Sequence, residues 1–174
     1  MIPFTRSGVI AARILVEEEK DEKTAVEAAK RKALSLLDRR DYSRAELLRK
    51  LSEKGYDETA AEAALERLAE LGFVNDARYA PIVVRHYAAK GFGAQRIRGE
   101  LQRRGIPKEL WDEAMAEMPA QDETVDRLLR KSLRGADVGD RDALRKATDA
   151  LRRKGYGWDE INAAVERARA ELEE

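Results

Sequence analysis

The chain has 174 residues, in which 34 Lys plus Arg balance 34 Asp plus Glu beside a single His; 43% of residues are hydrophobic and 39% charged. That balance excludes a strongly basic nucleic-acid tail and an acidic low-complexity chain, and leaves enough apolar residues for a core. Cysteine is absent, which excludes a disulfide framework, a thiol nucleophile and any Cys-ligated zinc or iron–sulfur site.

The longest early apolar stretch, Val9 to Val16, is interrupted by Arg13 and runs into Glu17-Glu18-Glu19-Lys20. It is far shorter than the ~20 residues of a membrane span and has no small-residue cleavage site, so a cytoplasmic protein with no membrane association is expected. Residues 1–28 read as an N-terminal extension, helical in part or mobile. From there nearly every segment favours helix, because Ala, Leu, Glu, Arg and Lys dominate. A helix over about 25–40 is followed by Ser43-Arg-Ala-Glu46, a capping box, and by Leu47, Leu48 and Leu51 at helical spacing. Lys54-Gly55 closes that helix, Asp57 caps the next, and Ala61, Ala64, Leu65, Leu68 and Leu71 form its apolar stripe. Gly72 stops it and Asp76 starts a helix to about residue 90, with Tyr79, Val83 and Tyr87 on one face. A further helix starts near Gly93 and carries Ile97 and Leu101. Pro107 then opens a helix at its first turn, Pro119-Ala-Gln-Asp122 leads into a helix over about 122–134, and the Gly- and Asp-rich Arg134–Asp140 is the expected flexible point. The last helix takes Asp159 as its cap. All four prolines are expected at or near helix ends or first turns.

A period of fifty organises these elements. Leu51-Ser-Glu-Lys54-Gly55-Tyr56 returns as Leu101-Gln-Arg-Arg104-Gly105-Ile106 and as Leu151-Arg-Arg-Lys154-Gly155-Tyr156. Nine residues after each glycine stands Ala64, Ala114 or Ala164, and the next residue is Leu65, Met115 or Val165. The cation complements the helix C-terminus, the glycine takes a left-handed cap, and the apolar residue after it folds back on the helix just ended. The expectation is all-α: an elongated, curved array of three tandem three-helix repeats, 29–76, 77–120 and 121–174, each leaning on the next.

Three segments, in order, resemble a known family. They are Tyr42-Ser43-Arg44-Ala45-Glu46-Leu47 with Lys50-Leu51 and Lys54-Gly55; Gly72-Phe-Val-Asn-Asp-Ala-Arg-Tyr-Ala80; and Gly91-Phe92-Gly93 with Arg96-Ile-Arg-Gly-Glu-Leu101 and Gly105-Ile106. The pattern is similar to the bacterial RecX regulatory proteins over roughly residues 30–118 and more loosely beyond. The resemblance implies tandem three-helix repeats, no enzymatic activity and no cofactor. It further implies binding to the groove of the RecA nucleoprotein filament, with restraint of strand exchange and ATP hydrolysis in DNA repair and the SOS response. Residues 1–28 inherit nothing from it.

The residues themselves offer no catalytic constellation. His86 lies at the edge of the Tyr79–Val83–Tyr87 face without a second His for a metal, and Gly91-Phe-Gly93 lacks the Gly-Lys of a phosphate loop. No serine stands in a nucleophile context, and the many carboxylates are expected as i,i+4 partners of Lys and Arg. No catalytic, cofactor-binding or metal residue is assigned.

Charge, read by segment, is uneven: −2 over 1–28, zero over 29–76, +3 over 77–120 and −1 over 121–174. Lys90, Arg96, Arg98, Arg103 and Arg104 fall within fifteen residues with Glu100 the only acid among them. On one helix Arg96, Glu100 and Arg103 share a side, while Ile97, Leu101 and Arg104 point elsewhere; Ile97 and Leu101 face the core, which places Arg96 and Arg103 to project outward. Arg39, Arg40 and Arg44, with Lys30, Arg31 and Lys32, extend a basic strip along the first repeat. An ordinary solvated helix face accounts for the same residues; the family resemblance favours a surface for RecA and the DNA within its filament. Arg152, Arg153 and Lys154 are explained first as cations at a helix C-terminus. Trp111 and Trp158 read as packing residues, and no aromatic platform for single strands is evident. A monomer with weak direct DNA binding is expected. A helix-turn-helix-like module acting on DNA alone is the alternative, and a scaffold for some other protein a weaker third reading.

Overall fold

Apolar residues at helical spacing become helices throughout: the computed structural model describes residues 6–173, and among them are nine α-helices and no strand. The chain folds as two units, Met1–Asn75 and Asp76–Glu174.

In the first unit, α1 (Arg6–Leu37) packs on α2 (Arg44–Ser52) and α3 (Glu58–Glu70). α1 is a single 32-residue helix, so the expected extension and the helix placed at 25–40 are continuous; residues 1–5 of that extension lie outside the described residues. Ala29, Ala33 and Leu36 repeat at i, i+4, i+7 and are buried against Ala61, Ala64, Leu65 and Leu68 of α3. Alanines on both partners let the two helix backbones approach closely. The capping box forms as expected: the Glu46 N–H donates to Ser43 Oγ at 3.0 Å and the Ser43 N–H to Glu46 Oε2 at 3.1 Å. Asp57 caps α3 through the Ala60 N–H at 3.0 Å.

The second unit holds α4 (Asp76–Ala89), α5 (Ala94–Arg103), a 3-10 turn (Lys108–Leu110), α6 (Trp111–Ala116), α7 (Asp122–Leu133), α8 (Arg141–Arg153) and α9 (Trp158–Glu173). Its buried side chains form two clusters. Tyr79, Val83, Val84, Ile97, Leu101, Ile106 and Ala114 make one, and Val125, Leu129, Leu133, Leu151, Tyr156, Ile161 and Ala164 the other.

The glycine caps appear with the expected geometry. Gly55, Gly105 and Gly155 have φ of +80°, +66° and +93°. In each case the following N–H reaches back to Leu51 at 3.2 Å, Leu101 at 3.1 Å or Leu151 at 3.3 Å, the six-to-one bond of a Schellman motif. Tyr156 and Ile106 are buried and Tyr56 is half-buried, as the fold-back requires.

Four expectations need correction. Pro81 lies in the second turn of α4 rather than the first, where the missing N–H leaves the carbonyl of exposed Ala77 to solvent. Pro107 stands before a 3-10 turn that precedes α6, so that segment opens with tighter winding. Asp159 is not the cap of α9: the helix begins at Trp158, and the Glu160 carboxylate turns back to accept the Gly157 N–H at 2.7 Å. Trp158 is 52% exposed at the head of α9 instead of packed, with the Arg152 guanidinium 4.7 Å from its ring centroid. Trp111 does pack, and its indole N–H donates to the Ile106 carbonyl at 3.0 Å. In the Arg134–Asp140 loop, Val138 is buried in the last cluster and Asp137 Oδ1 accepts the Gly139 N–H at 2.7 Å.

Candidate functional site

α5 has no side-chain cap at Gly93; its first turn is satisfied from elsewhere in the unit. Gly93 N–H donates to the Lys154 carbonyl at 2.9 Å and Gln95 N–H to the Gly155 carbonyl at 3.0 Å. The turn between α8 and α9 therefore supplies the acceptors that orphan N–H groups of a helix start require. This fixes α5, and with it the basic cluster, against the last helices.

Glu100 is the centre of that cluster. It sits at the same face as Ile97 and Leu101, is 1% exposed, and draws three arginines onto one carboxylate. Arg104 Nη1 lies 2.8 Å from Oε2, Arg103 Nη2 3.0 Å from Oε1 and Arg96 Nε 3.5 Å from Oε1. Arg104 also donates to the Tyr87 hydroxyl at 3.3 Å and to the Glu100 carbonyl at 3.2 Å. Burial pushes the Glu100 carboxyl up, but hydrogen bonds from Arg104 and Tyr87 and the charges of Arg103 and Arg104 outweigh it and hold the group below its ordinary value. Burial likewise disfavours the charged Arg104 guanidinium, and its bonds to Tyr87 and Glu100 more than offset this. The acid stays ionised and the arginines keep fixed directions.

The expectation for this helix is thus corrected in one respect. Glu100 does not share the outward side of Arg96 and Arg103; it points inward, and Arg104 joins them on its carboxylate. Arg104 is mostly covered, whereas the Arg96 and Arg103 side chains are 46% and 61% exposed and form a rim. Arg98 and Lys90 are exposed, Lys90 with its ammonium 5.6 Å from the Tyr87 ring centroid. Phe92 is half-buried between Lys154 at 5.0 Å and Arg96 at 5.8 Å. Ile97, Glu100, Leu101 and Arg104 repeat at helical spacing, a signal that admits an inward acid but leaves the choice to packing.

Arg39, Arg40 and Arg44 belong to the first unit. Arg40 lies 3.6 Å above the Tyr42 ring and pairs with Glu46 at 3.3 Å, and Arg44 pairs with Glu66 at 3.5 Å, bridging α2 to α3. Arg39 is exposed. His86 is exposed and edge-on to Tyr87 at 5.4 Å, a surface role. Among the described residues no three His, Cys, Asp or Glu side chains converge as metal ligands, and no helix is long and apolar enough to cross a membrane.

Comparison with known proteins places this geometry. The family pattern described as RecX, first three-helix domain, matches residues 29–68, and RecX, second three-helix domain, matches residues 75–115. A regulatory protein RecX of Vibrio campbellii is 36% identical over 140 residues, covering 79% of this chain and 90% of the relative. The chain belongs to the RecX family. A regulatory protein RecX of Xanthomonas axonopodis pv. citri is 38% identical over 77% of this chain and 83% of its own length. The crystal structure of RecX from Lactobacillus salivarius superposes with a TM-score of 0.78 at 22% identity, covering 85% of this chain and 99% of that one. A second crystal structure, of regulatory protein RecX, superposes with a TM-score of 0.76 at 20% identity, covering 93% of this chain and 79% of that one. The arginine cluster on Glu100 thus lies inside the second three-helix domain of a RecX protein.

Proposed function

We propose that this RecX-family chain regulates homologous recombination by binding the RecA nucleoprotein filament in its groove, restraining strand exchange and ATP hydrolysis without catalysing a reaction. The observation that carries the reading is the rim of Arg96, Arg98 and Arg103 on α5, in a family whose members are named regulatory proteins. Buried Glu100 orders two of these cations while leaving them open to a partner. Their partners would be DNA phosphates or acidic groove residues of RecA. Under this reading the chain is a cytoplasmic monomer, with residues 29–76, 77–120 and 121–174 as three tandem repeats. Arg39, Arg40 and Arg44 would add contacts from the first repeat.

Overall neutrality supports a composite partner of protein and nucleic acid over naked DNA. The test is RecA ATPase on single-stranded DNA, with strand exchange in parallel, as protein is titrated in. Inhibition at substoichiometric protein is expected; unchanged hydrolysis and exchange would refute the reading. Tight, steeply salt-dependent binding to DNA without RecA, with no effect on RecA, would instead identify a module that acts on DNA alone.

A further inference from the structure

A second basic site lies in an open cleft of about 700 Å³ between α7 and α8, which ends at Lys154 beside the start of α5. Lys131, Arg134, Lys146, Arg153 and Lys154 line it. Among the described residues none of these five makes an ion pair, although other basic groups on the same helices and on α9 do, as Arg130 with Glu171 and Arg167 with Asp126. The two acids of the cleft are already engaged. Asp140 accepts the Asp142 and Ala143 N–H groups at 3.0 and 3.1 Å as the cap of α8, and Asp142 pairs with Arg145 at 3.4 Å. The cleft therefore presents five cations against two carboxylates, a net positive lining.

Arg134 is the telling member. It has φ +53° and ψ +33°, the one non-glycine with positive φ among the described residues, and Gly135 follows it at +86°. A left-handed helix end is ordinarily given to glycine or asparagine, so an arginine there holds a strained backbone while placing a guanidinium at the cleft. Lys146 and Arg153, seven residues apart on α8, stand roughly 10 Å apart along the helix. That distance is more than a single phosphate ion would occupy and suits an extended, repeatedly charged ligand. Three of the five cations are lysines, point charges suited to a uniformly charged chain rather than to the bidentate pairing by which arginine selects carboxylates.

We infer that the α7–α8 cleft holds the sugar–phosphate backbone of a nucleic-acid strand, an interaction separate from that of the α5 rim; the strand's identity as filament DNA rests on the function proposed above. The test uses the full chain and a fluorescently labelled single-stranded oligonucleotide, with affinity measured across a salt series. Lys131→Gln, Lys146→Gln and Arg153→Gln combined should weaken binding about tenfold or more and flatten the salt slope by about two, near 0.7 for each phosphate no longer neutralised. Arg134→Gly alone should weaken binding while leaving the fold intact by circular dichroism. Arg130→Gln with Arg169→Gln, on cations already paired with Glu171 and Glu166, should leave the slope unchanged. Wild-type affinity and slope in the triple variant would overturn the proposal, as would an equal weakening in the control. Competition by polyglutamate as effective per charge as the oligonucleotide would overturn it in favour of an acidic protein. RecA ATPase run beside it separates the two claims. Inhibition by a triple variant whose DNA binding is unaltered refutes the cleft alone, and DNA binding through the cleft without any effect on RecA refutes the filament reading alone.

Discussion

Gly93 and Gly155 meet so closely that neither position has room for a side chain. A Cβ on Gly93 would stand 2.5 Å from the Gly155 carbonyl, and one on Gly155 would stand 2.4 Å from the Arg96 amide nitrogen. Around that meeting point the start of α5 and the end of α8 complete each other: two N–H groups of one take two carbonyls of the other. Positive and negative helix ends face each other there, which the macrodipoles favour. Backbone hydrogen bonds join the second unit at this point, with the Lys154 ammonium over the Phe92 ring beside them.

Gly155→Ala should therefore cost more than the same change at Gly55. Both glycines have positive φ, but nothing lies within 4 Å of a Cβ at Gly55. The backbone strain alone is about 1 kcal/mol, expected at Gly55, whereas Gly155→Ala adds a clash with backbone and should exceed ~3 kcal/mol. Denaturant unfolding checks this. Both tryptophans, Trp111 and Trp158, lie in the second unit, so their fluorescence follows Gly155→Ala, while circular dichroism is needed for Gly55→Ala.

Glu100→Gln removes the negative charge that three arginines share, and leaves the covered Arg104 guanidinium facing a neutral amide. A destabilisation of about 3 kcal/mol is expected, read from tryptophan fluorescence, with partial recovery in the double change Glu100→Gln, Arg104→Met. The wild type carries a pH signature of the same group. A carboxyl held below its ordinary 4.5 contributes stability above that value and loses it as pH falls through the lower folded value. The second unit should thus lose stability below about pH 4.5 more steeply in the wild type than in Glu100→Gln.

The three arginines on Glu100 should separate by role. Arg96→Gln and Arg103→Gln remove exposed rim cations, so each should change stability by less than about 1 kcal/mol. Both should weaken RecA inhibition, seen as a higher concentration for half-maximal ATPase suppression. Arg104→Gln should instead lower the unfolding midpoint first, because it abandons the Glu100 and Tyr87 bonds in a covered place.

Ser43 is fully buried and holds one half of the capping box, so Ser43→Ala should destabilise the first unit by about 1–2 kcal/mol. Circular dichroism at the helix band is the measurement, since that unit has no tryptophan.

Arg134→Gly should raise the stability of the second unit by about 1 kcal/mol, because glycine occupies the left-handed region without a Cβ penalty. A tryptophan-detected melt that moves upward while oligonucleotide affinity falls would show stability traded for a charge.

Sequence alone determined where helices form and several of their ends. Local chemistry suffices for those: Ser43 with Glu46, Asp57, and a glycine after Leu51, Leu101 and Leu151 act within a few residues of themselves. The three RecX-like motifs made the family readable, the fifty-residue spacing pointed to repetition, and the α5 arginines were legible as a cluster. What needed tertiary structure was the fate of each charge. Glu100 is one acid among 34, and only packing on Ile97 and Leu101 turns it inward to become the shared partner of Arg96, Arg103 and Arg104. At the head of α9 Glu160 rather than Asp159 turns back, onto the Gly157 N–H, and Trp158 lies against Arg152 at the surface, a choice of face that packing decides. Lys131, Lys146 and Arg153 are unremarkable along the chain, and become neighbours only where α7 and α8 face each other. Most of these helix ends are set by interactions a few residues apart in the chain; the start of α5 and the pairing among charges are set by distances in space, which the fold alone decides.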